Sequence, residues 1–329
     1  MYDKQFHIED LKNASFLVTG GAGFIGSNIV EYLLKYDAGK VIVLDNLSTG
    51  FMKNIQPFIS STNFKFIEGD ICNYQTCLDA CKNIDFVIHQ AAIGSVPRSV
   101  EFPLNTHASN TTGFLNMLNA AKEAKVKRFV YASSSSVYGD SHDLPKTENH
   151  IGRPLSPYAV SKLAGELYAE VFYKTYGMEV IGLRYFNIYG PRQDPSGPYA
   201  AAIPLFMKAL KDNKSPVIYG SGEQTRDFTF VENAVQANIK AVFTKEAEAL
   251  GQVFNIAVGE RVSVNTLFSI LKKNIGSSVI PVHKEERQGD IKHSLADISK
   301  ANTLLGYSPQ IKIEEGLRIT LDWFKKSNL

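Results

Sequence analysis

Residues 19–26 read Thr19-Gly20-Gly21-Ala22-Gly23-Phe24-Ile25-Gly26 and directly follow a run of apolar and β-branched residues, Ser15–Thr19. A helix-period pattern of apolar residues begins where the glycines end. In such strand–turn–helix units the first glycine permits a tight turn, the second lets a pyrophosphate approach the backbone, and the third allows close helix-on-strand packing. The helix N-terminus then presents free N–H groups to the phosphates. We therefore predict a dinucleotide-binding turn, with cofactor contacts at Gly20, Gly23, Phe24, Ile25 and Gly26.

An acidic residue follows the second predicted strand at the distance that dinucleotide sites use. Asp45 lies 19 residues after Gly26, close to the spacing of about 20 at which a carboxylate accepts hydrogen bonds from the ribose of NAD. Because a carboxylate there would repel the 2′-phosphate of NADP, we predict NAD as the cofactor. Further cofactor contacts are expected near the ends of the later strands and on the helix that follows, at Asn46, Asp70, Ile71, Gln90, Ala91, Ala92 and Asn110.

Strand-like and helix-like patterns alternate through the first part of the chain. The predicted strands are Ser15–Thr19, Lys40–Leu44, Phe64–Glu68, Phe86–His89, Phe129–Ala132 and Glu179–Arg184. The predicted helices between them include Ile25–Tyr36, Gly113–Lys125 and a long stretch over 156–176. Alternation at this spacing predicts right-handed βαβ units and a parallel sheet. The strands are almost continuously apolar, as expected when helices cover both faces of the sheet.

The texture of the sequence changes after residue 187. Glycines and prolines punctuate residues 188–222, which we predict to be mostly loop, and the tail is expected to hold short helices and one strand, Ser278–Val282. Asn233–Phe243 and Gln252–Val258 resemble the earlier helix and strand units. The prediction is an α/β protein with a doubly wound parallel Rossmann sheet and a smaller C-terminal substrate-binding lobe. The cofactor domain is placed at 1–187, with 230–258 returning to it, and the lobe at 188–329.

Composition argues against several classes of protein. The 329 residues carry 35 basic and 33 acidic side chains, so a net charge of +2 offers no basic stripe for a nucleic acid. No apolar run approaches the roughly 20 residues that span a bilayer. Cys72, Cys77 and Cys81 are an odd number of cysteines, which fits a reducing cytosol better than a disulfide framework. We expect a cytoplasmic protein with no nucleic-acid partner, no membrane partner and no bound metal.

A tyrosine and a lysine stand one helical turn apart in the predicted helix over 156–176. Tyr158 and Lys162 share one helix face at this spacing. A tyrosine has a pKa of about 10, and a nearby ammonium lowers that pKa by favouring the phenolate. We therefore expect Tyr158 to take a proton from a sugar hydroxyl while a nicotinamide takes the hydride. The serine run 133–136 ends the fifth strand, at the edge where open α/β sheets bind ligands.

Together, the glycine turn, Asp45, the serine run before Val137-Tyr138-Gly139 and the Tyr158/Lys162 pair resemble the extended short-chain dehydrogenase/reductases. More narrowly, nearly the whole chain resembles the nucleotide-sugar 4-epimerases. The resemblance implies that Tyr158 is the base and acid, that Lys162 modulates it, and that Ser134 is the catalytic hydroxyl. It also implies a UDP-sugar substrate. The implied substrate contacts are Ser95, Arg98, Ser134, Ser135, Ser136, Tyr158, Asn187, Arg226, Arg287 and Ser294.

The residues after Ser134 help to choose among the reactions of this family. Dehydratases place an Asp-Glu pair there and decarboxylases a glutamate, whereas this chain has Ser135-Ser136-Val137. The resemblance therefore disfavours elimination and decarboxylation. It leaves oxidation of the sugar at C4, turning of the 4-keto sugar, and return of the hydride to its other face, which regenerates NAD.

Ser294 bears on the choice of sugar. The resemblance places it beside the 2-substituent, where a bulky tyrosine is typical of enzymes restricted to plain hexoses and a small residue admits an N-acetyl group. We predict interconversion of UDP-GlcNAc and UDP-GalNAc, with UDP-Glc and UDP-Gal left open as further substrates. A UDP-glucuronate 4-epimerase is the alternative, because its serine run looks much the same. A non-catalytic dinucleotide-binding regulatory protein is the alternative of another class, disfavoured because all three catalytic residue types are present.

Apolar side chains also lie along the helix that begins near Tyr158. Family members often dimerise by pairing such helices into a four-helix bundle, so we predict a homodimer. The apolar residues that support this prediction are Leu163, Leu167, Tyr168, Val171 and Phe172.

Overall fold

A sheet of seven parallel strands forms the centre of the protein, shown by a computed structural model that describes residues 1–195, 200–286 and 292–327. In chain order the strands are β1 (Ser15–Thr19), β2 (Lys40–Asp45), β3 (Phe64–Glu68), β4 (Phe86–His89), β5 (Arg128–Ser134), β6 (Val180–Tyr185), β7 (Ile188–Tyr189), β8 (Val217–Tyr219), β9 (Thr225–Arg226), β10 (Thr229–Phe230), β11 (Val253–Ile256), β12 (Val262–Ser263) and β13 (Val282–Lys284). The central sheet has the order β11-β6-β5-β4-β1-β2-β3, and the remaining strands form two-stranded pairs.

Helices cover both faces of the central sheet. In chain order the α-helices of the described residues are α1 (Phe24–Lys35), α2 (Met52–Ile55), α3 (Tyr74–Cys81), α4 (Val96–Glu101), α5 (Pro103–His107), α6 (Phe114–Glu123), α7 (Pro157–Tyr176), α8 (Ala202–Lys211), α9 (Val231–Phe243), α10 (Val264–Ile275), α11 (Ser299–Leu305) and α12 (Ile313–Lys326). Of these, α8, α10 and α12 pack together in a separate apolar core. One apolar core joins α1 and α9 to one face of the sheet, and a second joins α3, α6 and α7 to the other. The predicted doubly wound parallel α/β fold is confirmed.

The strand order follows from the two-faced burial of each strand. All six residues of β6 are buried, and β1 and β2 are buried except at their first residue. Strands with no polar face are stable only between two helical layers, which is the arrangement that parallel crossovers produce. Within the residues described, no helix is both long and apolar enough to cross a bilayer.

The last strand of the central sheet comes from far along the chain. β11 pairs in parallel with β6, with Val253 opposite Gly182 and Ile256 opposite Tyr185. Helix α9 packs against α1 in the same apolar core. The segment 230–258 therefore adds a helix and an edge strand to the central sheet. The proposed division at residue 187 stays a prediction.

One local prediction was wrong. The tail strand lies at β13, three residues long, rather than at Ser278–Val282. Pro281 has no N–H to donate, so ladder pairing begins after it, and the N–H of Val282 bonds the carbonyl of Pro216 at 2.9 Å. The loops of 188–222 also enclose one helix, α8. Pro204 fits within the first turn of α8, where a missing N–H costs nothing.

A buried ion pair joins the longest helix to the central sheet. Both nitrogens of a guanidinium fork from Arg184 on β6 donate to the carboxylate of Glu166 on α7, at 2.9 and 2.8 Å. Both side chains are less than a tenth exposed. Ser133 donates to the same carboxylate at 2.5 Å. Because neither charge has access to water, each depends on the other for its stability.

Replacing Glu166 with Gln is expected to lower the free energy of unfolding by about 3–5 kcal/mol, since it leaves the Arg184 charge buried without a counter-charge. Glu170 provides a matched control one turn further along α7, where it pairs with Lys174 in solvent. Glu170→Gln is expected to change stability by less than about 0.5 kcal/mol. Urea unfolding of both variants measures the difference, and equal losses would show that the buried pair has no special weight.

Candidate active site

A cleft of about 560 Å³ lies along the carboxyl edge of the central sheet. The ends of five strands, β1, β2, β4, β5 and β6, contribute to its wall. This is the edge at which open parallel sheets bind ligands. Most of the residues predicted to contact a cofactor line the cleft: Gly20, Gly23, Phe24, Ile25, Gly26, Asp45, Asn46, Ile71, Gln90, Ala91, Ala92, Tyr158 and Lys162.

The glycine turn lies directly against the end of β4. Gly20 has φ +67°, and a Cβ there would come within 2.7 Å of the backbone nitrogen of Ala91. A Cβ at Gly26 would overlap the carbonyl oxygen of Gly20. The turn is therefore closed to any larger residue at both positions. It leaves the N-terminus of α1 facing the cleft, as an arrangement for binding phosphates requires.

Asp45 ends β2 and faces the same cleft. Its carboxylate accepts hydrogen bonds from the N–H of Ala22 at 2.9 Å and of Leu47 at 2.8 Å. Burial raises the pKa of Asp45 above its usual value, and these N–H groups hold that rise in check. A carboxylate fixed in this way beside the glycine turn fits a ribose and disfavours a 2′-phosphate. The residues present therefore fit NAD.

Two predicted cofactor residues, Asp70 and Asn110, do not line the cleft. Asp70 accepts from the side chain of Asn46 at 3.1 Å and from the N–H of Cys72 at 2.8 Å. Asn110 is buried and bonds both the N–H and the carbonyl of Ile93, at 2.7 and 3.0 Å. The structure therefore places both side chains where they hold neighbouring segments of the wall, and neither lines the cleft.

The three predicted catalytic residues come together in the cleft. The phenol of Tyr158 is hydrogen-bonded to the side chain of Ser134. The ammonium of Lys162 lies 5.9 Å from the centroid of the Tyr158 ring and donates to the carbonyl of Ala132 at 2.8 Å. Ser134 is positioned by accepting from the N–H of Ser136 at 3.2 Å. A phenol, a hydroxyl and an ammonium are thus placed to act on one ligand hydroxyl.

The expected lowering of the pKa of Tyr158 is not found in the protein alone. Burial raises that pKa, and the hydrogen bond from Ser134 opposes the rise. Lys162 is itself buried, which lowers its pKa to about 8, while the carboxylate of Glu166 limits the fall. Desolvation of both groups therefore outweighs the effect of the ammonium on the phenol.

A second cavity of about 260 Å³ adjoins the cleft. Asn187 and Gln193 line both spaces, and Arg226 lines the second. Asn187 donates to the carbonyl of Asp227 at 3.0 Å. The guanidinium of Arg226 donates to the carbonyl of Thr225 at 3.0 Å. The cleft and the second cavity together form a continuous site for an elongated ligand.

The remaining predicted substrate residues fall into three groups. Ser95 and Arg98 line the cleft. Ser135 and Ser136 lie in the turn after β5 without lining it, and the buried hydroxyl of Ser136 has no hydrogen-bond partner in the part of the chain described. Ser294 lines neither space, and its N–H bonds the carbonyl of Thr225 at 3.1 Å. Arg287 lies outside the described residues.

Gln193 and Tyr185 line the site but were not among the predicted residues. Gln193 lies at the junction of the two spaces. Its side-chain oxygen is buried and has no hydrogen-bond partner among the described residues. A polar residue within a glycine- and proline-rich loop was the available signal.

No metal site is found among the described residues. No group of three or more His, Cys, Asp or Glu side chains lies close enough together there to hold an ion. All three cysteines are free thiols. Burial lowers the pKa of His89 to about 3, so it is a neutral partner of Thr19 at 2.8 Å, not a base.

Comparison with known proteins agrees with this geometry. The model of the NAD dependent epimerase/dehydratase family matches residues 16–257. A UDP-N-acetylglucosamine 4-epimerase from Methanobrevibacter ruminantium, solved with UDP-N-acetylmuramic acid, is 41% identical, with a TM-score of 0.90 over 95% of this chain and 99% of that one.

Two other solved structures are nearly as similar. A UDP-glucose 4-epimerase from Thermotoga maritima, solved with UDP-glucose, is 36% identical, with a TM-score of 0.89 over 96% of this chain and 100% of that one. A UDP-glucuronic acid 4-epimerase from Bacillus cereus, solved with its namesake sugar and NAD, is 35% identical, with a TM-score of 0.88 over 95% and 99%. The resemblance to the extended short-chain dehydrogenase/reductases is confirmed, and the chain belongs to the NAD-dependent epimerase/dehydratase family.

Proposed function

We propose that the protein interconverts UDP-GlcNAc and UDP-GalNAc by NAD-dependent 4-epimerisation through a 4-keto sugar. The observation that carries the proposal is the grouping of Tyr158, Ser134 and Lys162 in a cleft that continues into a second cavity. The chain is similar over 95% or more of its length to UDP-sugar 4-epimerases. An epimerase needs one proton-accepting group beside a hydride carrier and no second acid–base pair at the serine turn, and this chain offers that set.

The mechanism assigns one role to each of the three side chains. Tyr158 accepts the proton of the C4 hydroxyl, and Ser134, already bonded to Tyr158, orients that hydroxyl. Lys162 places its ammonium beside the phenol and favours its phenolate form. When bound, NAD supplies reversible hydride transfer at C4. After the 4-keto sugar turns its other face, Tyr158 returns the proton to the ketone oxygen as the hydride comes back.

The preference for N-acetylated sugars rests on the small residue at position 294 and on similarity. Ser294 directly follows His293, which pairs with Thr225, and the N–H of Ser294 bonds the carbonyl of Thr225. Thr225 precedes Arg226, which lines the second cavity. The Methanobrevibacter relative carries UDP-N-acetylglucosamine in its name. UDP-Glc and UDP-Gal remain possible further substrates, and UDP-glucuronate is the alternative, supported by the Bacillus cereus relative.

Side-by-side assays with UDP-GlcNAc, UDP-Glc and UDP-glucuronate test the substrate. The ratio kcat/KM is expected to be highest for UDP-GlcNAc, by about tenfold over UDP-Glc, because an unfilled pocket at the 2-position forfeits contact energy of 1–3 kcal/mol. Sugar nucleotides separated by chromatography at equilibrium give the measurement. Preference for the acid would support the glucuronate alternative instead, and no turnover of any of the three would support a binding protein.

Replacing Tyr158 with Phe tests the mechanism. The variant keeps the ring and loses the only proton acceptor assigned to the C4 hydroxyl, so we expect turnover to fall by about 10²–10⁴-fold. The NAD content of the purified protein should stay at the level of the unmodified chain. Tyr176→Phe, the same change at the exposed end of α7, is the matched control and should keep most activity. Wild-type turnover in the Tyr158 variant would contradict the assignment.

We propose further that the protein is a cytoplasmic homodimer. The three free thiols support a reducing compartment. On α7, Val160, Leu167 and Val171 are each more than half exposed although they are apolar. Their spacing places them on one helix face, which the exposed Leu104 of neighbouring α5 extends. Of the apolar residues predicted for this surface, Leu163 and Phe172 instead pack inward.

The double substitution Leu167→Glu and Val171→Glu is expected to convert the dimer to a monomer, because it places four like charges in one symmetric apolar interface. Light scattering at micromolar protein gives the mass. Ile59→Glu, at a similarly exposed apolar residue remote in sequence from α7, is the control and should leave the mass unchanged. A monomeric unmodified protein would itself contradict the proposed dimer.

A further inference from the structure

A closed ring of hydrogen bonds lies where β4 and β6 meet helix α9. The Tyr185 hydroxyl donates to the side-chain oxygen of Gln90 at 3.2 Å. The side-chain nitrogen of Gln90 donates in turn to the side-chain oxygen of Asn238 at 3.1 Å. The amide nitrogen of Asn238 donates back to the Tyr185 hydroxyl at 2.7 Å. Gln90 and Tyr185 line the cleft, whereas Asn238 is fully buried on α9 and does not.

One main-chain carbonyl determines the direction of the whole ring. The amide nitrogen of Asn238 also lies 2.7 Å from the carbonyl oxygen of Ala234. A carbonyl can only accept, so the Asn238 atom beside it must be the nitrogen. The Asn238 oxygen then faces Gln90, which must present its own nitrogen there. The oxygen of Gln90 is left for Tyr185, whose hydroxyl has to donate to it.

The second tyrosine of the cleft is not placed as a competing base. Its hydroxyl keeps its proton, donates a hydrogen bond to the side-chain oxygen of Gln90 and accepts one from the side-chain nitrogen of Asn238. Burial raises the pKa of Tyr185 well above its usual value. By contrast, Tyr158 has Ser134 and Lys162 beside it. Burial therefore keeps Tyr185 neutral within the same cleft, and the ring fixes the direction of its hydroxyl.

The ring also acts on the backbone under the glycine turn. The N–H of Gln90 bonds the carbonyl of Thr19 at 3.0 Å, and the N–H of Ala91 bonds the Thr19 hydroxyl at 3.3 Å. The α-carbon of Gly20 rests against the Gln90–Ala91 peptide. A rotation of Gln90 would therefore disturb the wall that the cofactor meets.

We propose that Asn238, although outside the cleft, is a positioning residue for NAD, because it holds Gln90 and Tyr185 in one orientation at the cleft wall. The side chain of Gln90 lines the cleft. One of its two amide N–H groups has no protein acceptor among the described residues. A fixed donor at this place favours a ligand acceptor. Loss of the ring would free the amide to turn and offer its oxygen instead.

The test compares two buried asparagines of α9. Asn238→Leu removes two of the three ring bonds and keeps the branched shape of the side chain. Asn233→Leu is the matched control, because Asn233 bonds only the Gln310–Ile311 backbone and the Ile311 carbonyl, away from the cleft. Both variants lose buried hydrogen bonds and should melt at lower temperature than the unmodified protein. The NAD affinities of the two variants are expected to differ only if the hydrogen-bonded ring positions the cofactor.

NAD binding is measured by titrating protein stripped of nucleotide, without any sugar, so the result does not depend on the proposed substrate. Asn238→Leu is expected to raise the Kd for NAD about tenfold, a loss that one unsatisfied buried group can produce. Asn233→Leu should stay within about twofold of the unmodified protein. Excess NAD should restore much of the turnover of Asn238→Leu. An unchanged Kd in Asn238→Leu, or an equal rise in both variants, would overturn the proposal.

Tyr185→Phe keeps the test decisive if Asn238→Leu does not fold. This variant removes a single hydroxyl and keeps the aromatic group of the side chain, so the protein should still fold. We expect its Kd for NAD to rise about threefold, since Gln90 loses the donor that orients it. A Kd equal to that of the unmodified protein would contradict the inference by itself.

Discussion

The close contact between Gly20 and the backbone of Ala91 is the constraint on which the rest of the site depends. Because nothing larger than hydrogen fits between them, the turn after β1 can touch the end of β4. That contact aims the N-terminus of α1 along the cleft and brings the N–H of Ala22 to the carboxylate of Asp45. It also puts Gln90 beside the turn. The N-terminus of α1, the carboxylate of Asp45 and the central cleft wall are therefore all positioned by one steric constraint.

Buried charge is the second organising feature. Two cations on neighbouring elements, Lys162 and Arg184, lie near one buried carboxylate, Glu166. The carboxylate is held by Arg184 and Ser133, so its position does not depend on Lys162. Burial lowers the pKa of Lys162 only to about 8, so most of its ammonium stays charged at neutral pH. Burial raises the pKa of Tyr158, so its phenol stays protonated in the protein alone. The protonation states of Tyr158 and Lys162 thus depend on the balance between desolvation and neighbouring charges.

The sequence was sufficient for the sheet and for those cleft-lining residues that belong to short-range motifs. Gly20, Gly26 and Asp45 were predictable because strand, turn and helix follow each other in the chain, and local sterics require particular residues there. Tyr158 and Lys162 were predictable because helix geometry alone places them on one face. Such residues depend only on their neighbours in the chain, so a linear pattern contains the necessary information.

What lies behind the cleft wall was decided by tertiary structure. Asn110 lies in a π-helical segment, Ala108–Gly113, and its side chain bonds the backbone of Ile93 instead of lining the cleft. The members of the ring formed by Gln90, Tyr185 and Asn238 are 53 to 148 positions apart, so no periodicity relates them. The sequence alone determined which elements form and in what order, since apolar periodicity and glycine sterics are local. Only the packed fold decided which distant amides and hydroxyls meet, because each buried donor must find its acceptor in three dimensions.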